Sequence, residues 1–308
     1  MVAQPKLRME EALAAGMLPL LEELGFSKKR KASRTHIRET SDIRMWVDFR
    51  HTNAFPRGFT EVTGVYFPAA QALADELLDG EFDTDADALR LPCHCTTSVI
   101  YAWETELERT HRARKRESWW YRWRTLVAPR IYEVCPHVNS DRVWQLDDDY
   151  EYDPNPHKND RGRKIDPVEL GAFVAEKWRQ YCLPWLRRAE EMGPAFYLWD
   201  SAQELYNETL ADYEQRAGAT VNIRHALFYH LAGDFEGRDR NVRLAHDPYK
   251  PDELEAKVQT GLARLKAGED VGEIKWPLKE RLQAMRLAET FGVDVCEAGT
   301  QEPPARRQ

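Results

Sequence analysis

Cys93-His94-Cys95 and Cys135-Pro136-His137 gather thiols and imidazoles in two short clusters, the donor types of a tetrahedral zinc site. Their spacing argues against that chemistry. In a strand Cys93 and Cys95 share one face while His94 points to the other, and paired zinc thiolates usually stand further apart. Small free thiols are among the most buried side chains. Cys93 and Cys95 therefore read as two small buried thiols in a strand with the polar His94 imidazole outside; Cys93, Cys95, Cys135 and His137 are not expected to hold a metal, and no other cofactor is expected. Five cysteines, an odd number in a chain of 308 residues, also suit free thiols better than a disulfide framework.

The second constellation spans Arg109 to Arg124. Arg112, Arg114, Lys115, Arg116, Arg122 and Arg124 alternate with Trp119, Trp120, Tyr121 and Trp123. Cations that neutralise phosphates, beside rings on which bases stack, are the ingredients of single-strand recognition. Basic residues also decorate ordinary surface helices, and aromatic rings often anchor a helix to its own core. Asp147, Asp148, Asp149, Glu151 and Asp153 offer acidic partners further along, so the segment reads as an internally compensated insertion. Its candidate binding surface is Arg112, Arg114, Lys115, Arg116, Trp119, Trp120 and Trp123. The acidic run, extended through Pro154, Pro156, His157 and Asp160, lacks the spacing of a calcium loop and reads as a solvated linker. His225 and His230 lie five apart, not the four of a zincin helix, so one is expected to face the core and the other solvent. No nucleophile elbow, phosphate loop, dinucleotide fingerprint or His-Glu-x-x-His sequence is present, which removes most of the weight from those enzyme classes.

The elements that would position these residues are legible in part. Leu18, Leu21 and Leu24 form an apolar stripe that ends at Gly25, where a left-handed C′ residue stops a helix, with Phe26 as C″ folding back on Leu21. After the basic cluster from Lys28 to Lys31, Ile43, Met45, Val47 and Phe49 alternate with Arg44, Trp46, Asp48 and Arg50 as a half-buried strand. Phe59 to Phe67 reads as a second strand, and Asn53 to Gly58, with Pro56, as the turn between them.

This succession resembles an uncharacterised bacterial family, domain of unknown function forty-three-oh-four. Its members open with a helix closing on a Gly-Phe pair, a Lys-rich step and a small antiparallel sheet. Cys93-His94, Cys182-Leu183-Pro184-Trp185-Leu186 and Leu231-Ala232-Gly233-Asp234-Phe235 are similar to later positions of the pattern. The resemblance covers roughly residues 10 to 245. It implies architecture only, because the family brings no established activity or catalytic residue.

The second half has helical punctuation. Asp166-Pro167-Val168-Glu169 combines an N-cap, a Pro at N1 and a capping-box Glu, and Leu170, Phe173, Val174, Trp178 and Tyr181 follow on one face. Pro184 is expected to kink that helix or to start the next. Ser201-Ala202-Gln203-Glu204 reads as another capping box, opening a helix through Leu205, Leu210 and Tyr213 that stops near Gly218. Asn222 to Ala232 and Phe235 to Ala245 flank Gly233-Asp234 as a helical hairpin. Leu254, Val258, Leu262 and Leu265, then Leu278, Leu282, Met285 and Phe291, have helical spacing.

The fold class expected is α+β: an N-terminal helix and antiparallel sheet with a helical C-terminal half. The sheet region spans 1–160, with a charged aromatic insertion at 104–160. A helical region, 161–295, packs on or beside it, and 296–308 is a flexible tail. A net charge of -8 argues against wholesale nucleic-acid binding. No apolar stretch approaches the roughly 20 residues of a membrane helix, and no secretion signal opens the chain, so a cytoplasmic location is expected. The leading functional expectation is a non-enzymatic module that binds another protein. The alternatives are an RNA- or DNA-binding or processing protein using residues 109–124, and a hydrolase with an unrecognised site.

Overall fold

The computed structural model describes residues 5–30, 33–52, 58–78, 94–117, 128–135, 137–138, 142–146, 166–203, 205, 208–246, 256, 260–261, 263–264, 267–269 and 275–295. Cys93, Trp119, Trp120, Trp123, the acidic run from Asp147 to Asp153, the turn at 53–57, Leu254, Val258, Leu262, Leu265 and the tail lie outside the described residues. The fold is α+β, with an antiparallel sheet near the N-terminus and a helical C-terminal half. Among the described residues no helix is long and apolar enough to cross a membrane.

Two compact units divide the chain: residues 1–66 with 93–191, and residues 67–92 with 192–308. A single boundary at 160 does not describe this division. The helix that opens at Asp166 belongs with the sheet, and the helix after Tyr66 belongs with the C-terminal helices.

In the first unit the chain opens with α1 (Pro5–Ala12), a wider π-helical turn at Leu13–Met17, and α2 (Leu18–Glu23). Gly25 has φ +80, and the amides of Gly25 and Phe26 donate to the carbonyls of Glu22 (3.0 Å) and Leu21 (2.8 Å). These are the paired bonds of a Schellman stop, as the Gly-Phe sequence requires. The chain then forms β1 (Ser27–Lys28), β2 (Thr35–Glu39), β3 (Arg44–Thr52), β4 (Gly58–Tyr66), β5 (Cys95–Thr97) and β6 (Trp144–Gln145). All pairings are antiparallel in the order β1-β2-β3-β4-β5, and β6 joins β4 beside Gly58 and Phe59.

Register puts Met45, Val47 and Phe49 opposite Val65, Thr63 and Glu61, so these side chains share one face of the sheet. That face is buried, and Glu61 lies on it with no exposed surface. The opposite face is not uniformly polar, because Trp46 is also buried. It lies over Gly64, its register partner, where an added Cβ would come within 2.2 Å of the indole.

A helix of this unit, α4 (Val99–Glu117), follows β5; the short α5 (Ile131–Val134) and the long α6 (Pro167–Met192) complete it. The label α3 belongs to Pro68–Leu78 in the second unit. Asp166 caps α6, its carboxylate accepting from the Val168 amide at 2.8 Å. The helix runs on through Pro184, so Pro184 does not start a new one. Gln180, whose carbonyl loses its partner there, is exposed, so water can satisfy that oxygen. Gly171 of α6 meets the N-terminal helices at closest approach. A Cβ on Gly16 would fall 1.9 Å from the Gly171 carbonyl oxygen, and one on Gly171 would fall 1.9 Å from that of Ala12.

The second unit holds α3, α7 (Ala195–Gln203), α8 (Leu210–Arg216), α9 (Ala219–Leu231), α10 (Phe235–His246) and α11 (Lys275–Phe291). Ser201 lies within α7 and donates to the Tyr197 carbonyl, so it is not an N-cap. The capping box stands at Thr209 and Asp212, which opens α8. Gly233, with φ +76, ends α9, and Asp234 accepts from the Gly237 amide at 2.9 Å to start α10, as the hairpin expectation has it. On α11 the buried residues are Leu278, Ala284, Leu287 and Ala288, while Leu282 and Met285 are exposed. The helix is therefore rotated from the face that its larger apolar residues suggest.

Candidate functional site

The polar centre of the first unit grows out of β4. Its alternation puts Phe59, Glu61, Thr63 and Val65 on the core face, and α6 supplies Trp178 and Cys182 above them. Trp178 Nε1 donates to Thr63 Oγ1 at 3.0 Å. Burial and the nearby Glu61 charge push the Cys182 thiol well above its ordinary range, so it stays protonated.

Glu61 itself sits against the start of α4. Its Oε1 accepts from the Val99 amide and its Oε2 from the Trp144 indole. Ser98, the residue before the helix, accepts from the Tyr101 amide at 3.2 Å. Glu61 and Ser98 thus satisfy first-turn donors that α4 could not satisfy alone. Burial pushes the Glu61 carboxyl up to about 7, against the lowering effect of the Trp144 and backbone donors.

Beside this carboxyl lies a cavity of about 100 Å³ lined by Thr60, Glu61, Ser98, Ile100, Tyr101, Glu104 and Arg142. Arg142 Nε pairs with Glu104 Oε2 at 3.0 Å, and Arg142 is held at φ 59, a left-handed conformation rare for a residue with a Cβ. Glu104 Oε1 is buried and has no hydrogen-bond partner among the described residues.

Glu104 also borders a larger groove of about 270 Å³, with Glu108, His111, Arg112, Lys115, Ala128, Pro129 and Arg130. Positions 104, 108, 111, 112 and 115 recur at helical spacing and so share one side of α4. The other side is anchored by Trp103, whose ring stacks on Tyr181 of α6 at 5.9 Å with Lys177 Nζ above it at 4.9 Å. In the groove Arg112 pairs with Glu108 at 3.0 Å. Burial and the charges of Lys115, Arg112 and Arg114 push the His111 imidazole below its ordinary range.

The candidate surface residues therefore separate. Arg112 and Lys115 line the groove, whereas Arg114 and Arg116 are exposed in the last turn of α4. Trp119, Trp120 and Trp123 lie outside the described residues, as do the Asp147 to Asp153 acids expected to balance the cations. The compensation that is described comes from Glu108, within the same helix.

Of the thiols and imidazoles considered as metal donors, Cys95 is buried in β5 and Cys135 is buried just after α5. The His137 ring lies 4.9 Å from that of Phe173, and the neighbouring His94 stacks on Tyr66 at 4.9 Å. Among the described residues no three His, Cys, Asp or Glu side chains come together as a metal would require.

The second unit has its own buried polar centre. Glu214 accepts from Arg240 Nη2 at 2.7 Å and lies 2.8 Å from His225 Nδ1. Burial alone would raise the Glu214 carboxyl, but bonds from His225, Arg240 and Asn241 hold it below its ordinary range. His225 is in the core, as expected of one of the two histidines. His230 is only half-buried and stacks on Phe291 at 4.8 Å instead of facing solvent.

Comparisons with family models, curated proteins and solved structures find no match to this chain.

Proposed function

We propose that the protein is a binding module that engages another protein through the groove on α4. The observation that carries this reading is the charge order of the groove: along α4, Glu104 and Glu108 come first and Arg112 and Lys115 follow, and Arg130 adds a further cation to the lining. A strip carrying both signs selects a partner strip of opposite order, and such complementarity fixes register as well as strengthening encounter. The stacking of Trp103 on Tyr181 anchors α4 to α6, and a strip held in place in this way lowers the ordering cost of binding.

The same charge order weighs against nucleic acid. Phosphates would meet Glu104 and Glu108 in the groove, and Arg112 is already paired with Glu108. The kinship with domain of unknown function forty-three-oh-four remains part of this proposal, and it would add architecture without changing the activity.

The test is affinity purification of the full chain from its native host, with nuclease added to half the sample, beside an Arg112→Glu/Lys115→Glu variant. A protein partner that survives nuclease and is lost from the folded variant supports the reading. Co-purifying nucleic acid, or a partner retained equally by the variant, overturns it.

A further inference from the structure

We propose that the cavity bounded by Thr60, Glu61, Ser98, Tyr101, Glu104 and Arg142 is a binding site for a primary ammonium group, carried by a small amine or by a lysine side chain. Three observations in one place support it. The cavity, about 100 Å³, exceeds the space that a single water needs and suits a group of a few heavy atoms. Glu104, one of its lining residues, has a buried oxygen, Oε1, with no hydrogen-bond partner among the described residues, whereas both Glu61 oxygens already accept. Arg142, at the rim, is held in a left-handed backbone conformation of the kind that concentrates at binding sites.

The charges choose the ligand. Arg142 neutralises one carboxylate through its pair with Glu104, which leaves Glu61 as the uncompensated acid. Above pH 7, where Glu61 is ionised, its charge repels an anion. An unsatisfied buried acceptor calls for a hydrogen donor, and an ammonium has three donors and no acceptor. Glu104 Oε1 and the hydroxyl oxygens of Ser98, Thr60 and Tyr101 are acceptors of the right type. A quaternary ammonium carries the charge but no N–H, so it cannot serve.

The groups facing Glu61 are Glu104 and Tyr101 from α4, Arg142, and the Cys182 thiol from α6, which stays neutral. Glu61 titrates at about 7. A bound cation favours its ionised form, so binding releases a proton. The ionised fraction rises from about one tenth to about nine tenths between one pH unit below and one above that midpoint, so affinity should rise about tenfold across the interval.

The experiment reads the Trp144 indole N–H resonance by ¹⁵N NMR on the full chain, because that group donates to Glu61. The probes are ethylammonium chloride and Nα-acetyl-lysine amide, with tetramethylammonium chloride as the control of equal charge. The expected result is a saturable shift by one or both primary ammonium probes, about tenfold tighter at pH 8 than at pH 6, weakened at least tenfold in Glu104→Gln or Ser98→Ala. Response to ethylammonium alone assigns the site to small amines, and response to the lysine derivative assigns it to a side chain. No saturable shift at either pH, or an equal shift with tetramethylammonium, overturns the proposal. No partner protein enters the measurement, so its outcome is independent of the groove reading.

Discussion

The indole of Trp144 donates to the carboxylate of Glu61 across 83 residues of sequence. That bond ties β6 to β4 at a position where the same carboxylate also caps the first turn of α4. One inward-facing acid therefore joins a sheet edge to the helix that carries the candidate groove. An isolated charge would be costly there, and the raised carboxyl value records that cost as a shift toward the neutral form.

Glu61 gives stability a specific pH dependence. Its folded value of about 7 lies above the unfolded carboxylate range, so the native state holds the proton more tightly. Its contribution is full below pH 4 to 5, falls as pH rises through 7 and is absent above that, a change on the order of 3 kcal/mol. His36, His111 and His230, all lowered, contribute the opposite slope up to their unfolded value of 6.5. The measurement is therefore a difference: denaturant midpoints from pH 5 to 8 for wild type and Glu61→Gln. Wild type should lose more stability across that range than the variant, and parallel curves would contradict the assignment.

Gly25→Val should destabilise the fold by roughly 1 to 3 kcal/mol, because a β-branched side chain is placed at φ +80. Space is not the obstacle, since the nearest atom to an added Cβ is 4.0 Å away on the Arg38 side chain. Chemical denaturation reads this directly, and an unchanged midpoint would remove the left-handed stop from the account.

Glu214→Ala should cost about 3 to 5 kcal/mol, since it leaves His225 buried and Arg240 without the carboxylate that both contact. Calorimetry of the single variants and of Glu214→Ala/Arg240→Ala forms the check. The double variant should lose less than the sum of the two singles, because the charges fail together.

Helix caps distinguish two serine and threonine positions that look alike in sequence. Thr209→Ala should cost about 1 kcal/mol by removing the acceptor of the Asp212 amide. Ser201→Ala, within α7, should lie within about 0.5 kcal/mol of wild type. Equal losses in thermal unfolding would restore Ser201 as a cap.

Much of this fold was legible because its signals are local. Gly25-Phe26 and Gly233-Asp234 stop helices through their own backbone bonds, and the β3 alternation from Ile43 to Phe49 matches the buried face. Thr209 and Ser201 have the same three-residue spacing to an acid, but the Thr209 box closes with Asp212 while Ser201 is followed by Glu204, the commoner closing residue, so sequence favours the wrong one. The face of α11 is hard to read from sequence because Ala284 and Ala288 carry the burial and signal weakly beside Leu282 and Met285. Glu61 was the chief omission from the candidate site. The period of two that aligns Phe59, Thr63 and Val65 puts it in the core, and a carboxylate at such a position is the available signal. Its partners come from Val99 and Trp144, whose proximity no local pattern encodes. Arg112 and Lys115 were found from charge, but the acids that complete their groove, Glu104 and Glu108, were not.

The most direct test of the groove as a protein-binding surface is site-specific photo-crosslinking in the native host. Benzoylphenylalanine replaces exposed Arg130 at the groove or, as a control, exposed Glu289 on α11. The account predicts a nuclease-resistant adduct to a protein from position 130, absent from position 289 and lost when Arg112→Glu/Lys115→Glu is added. Adducts to nucleic acid at position 130, or the same adduct pattern from both positions, would contradict it.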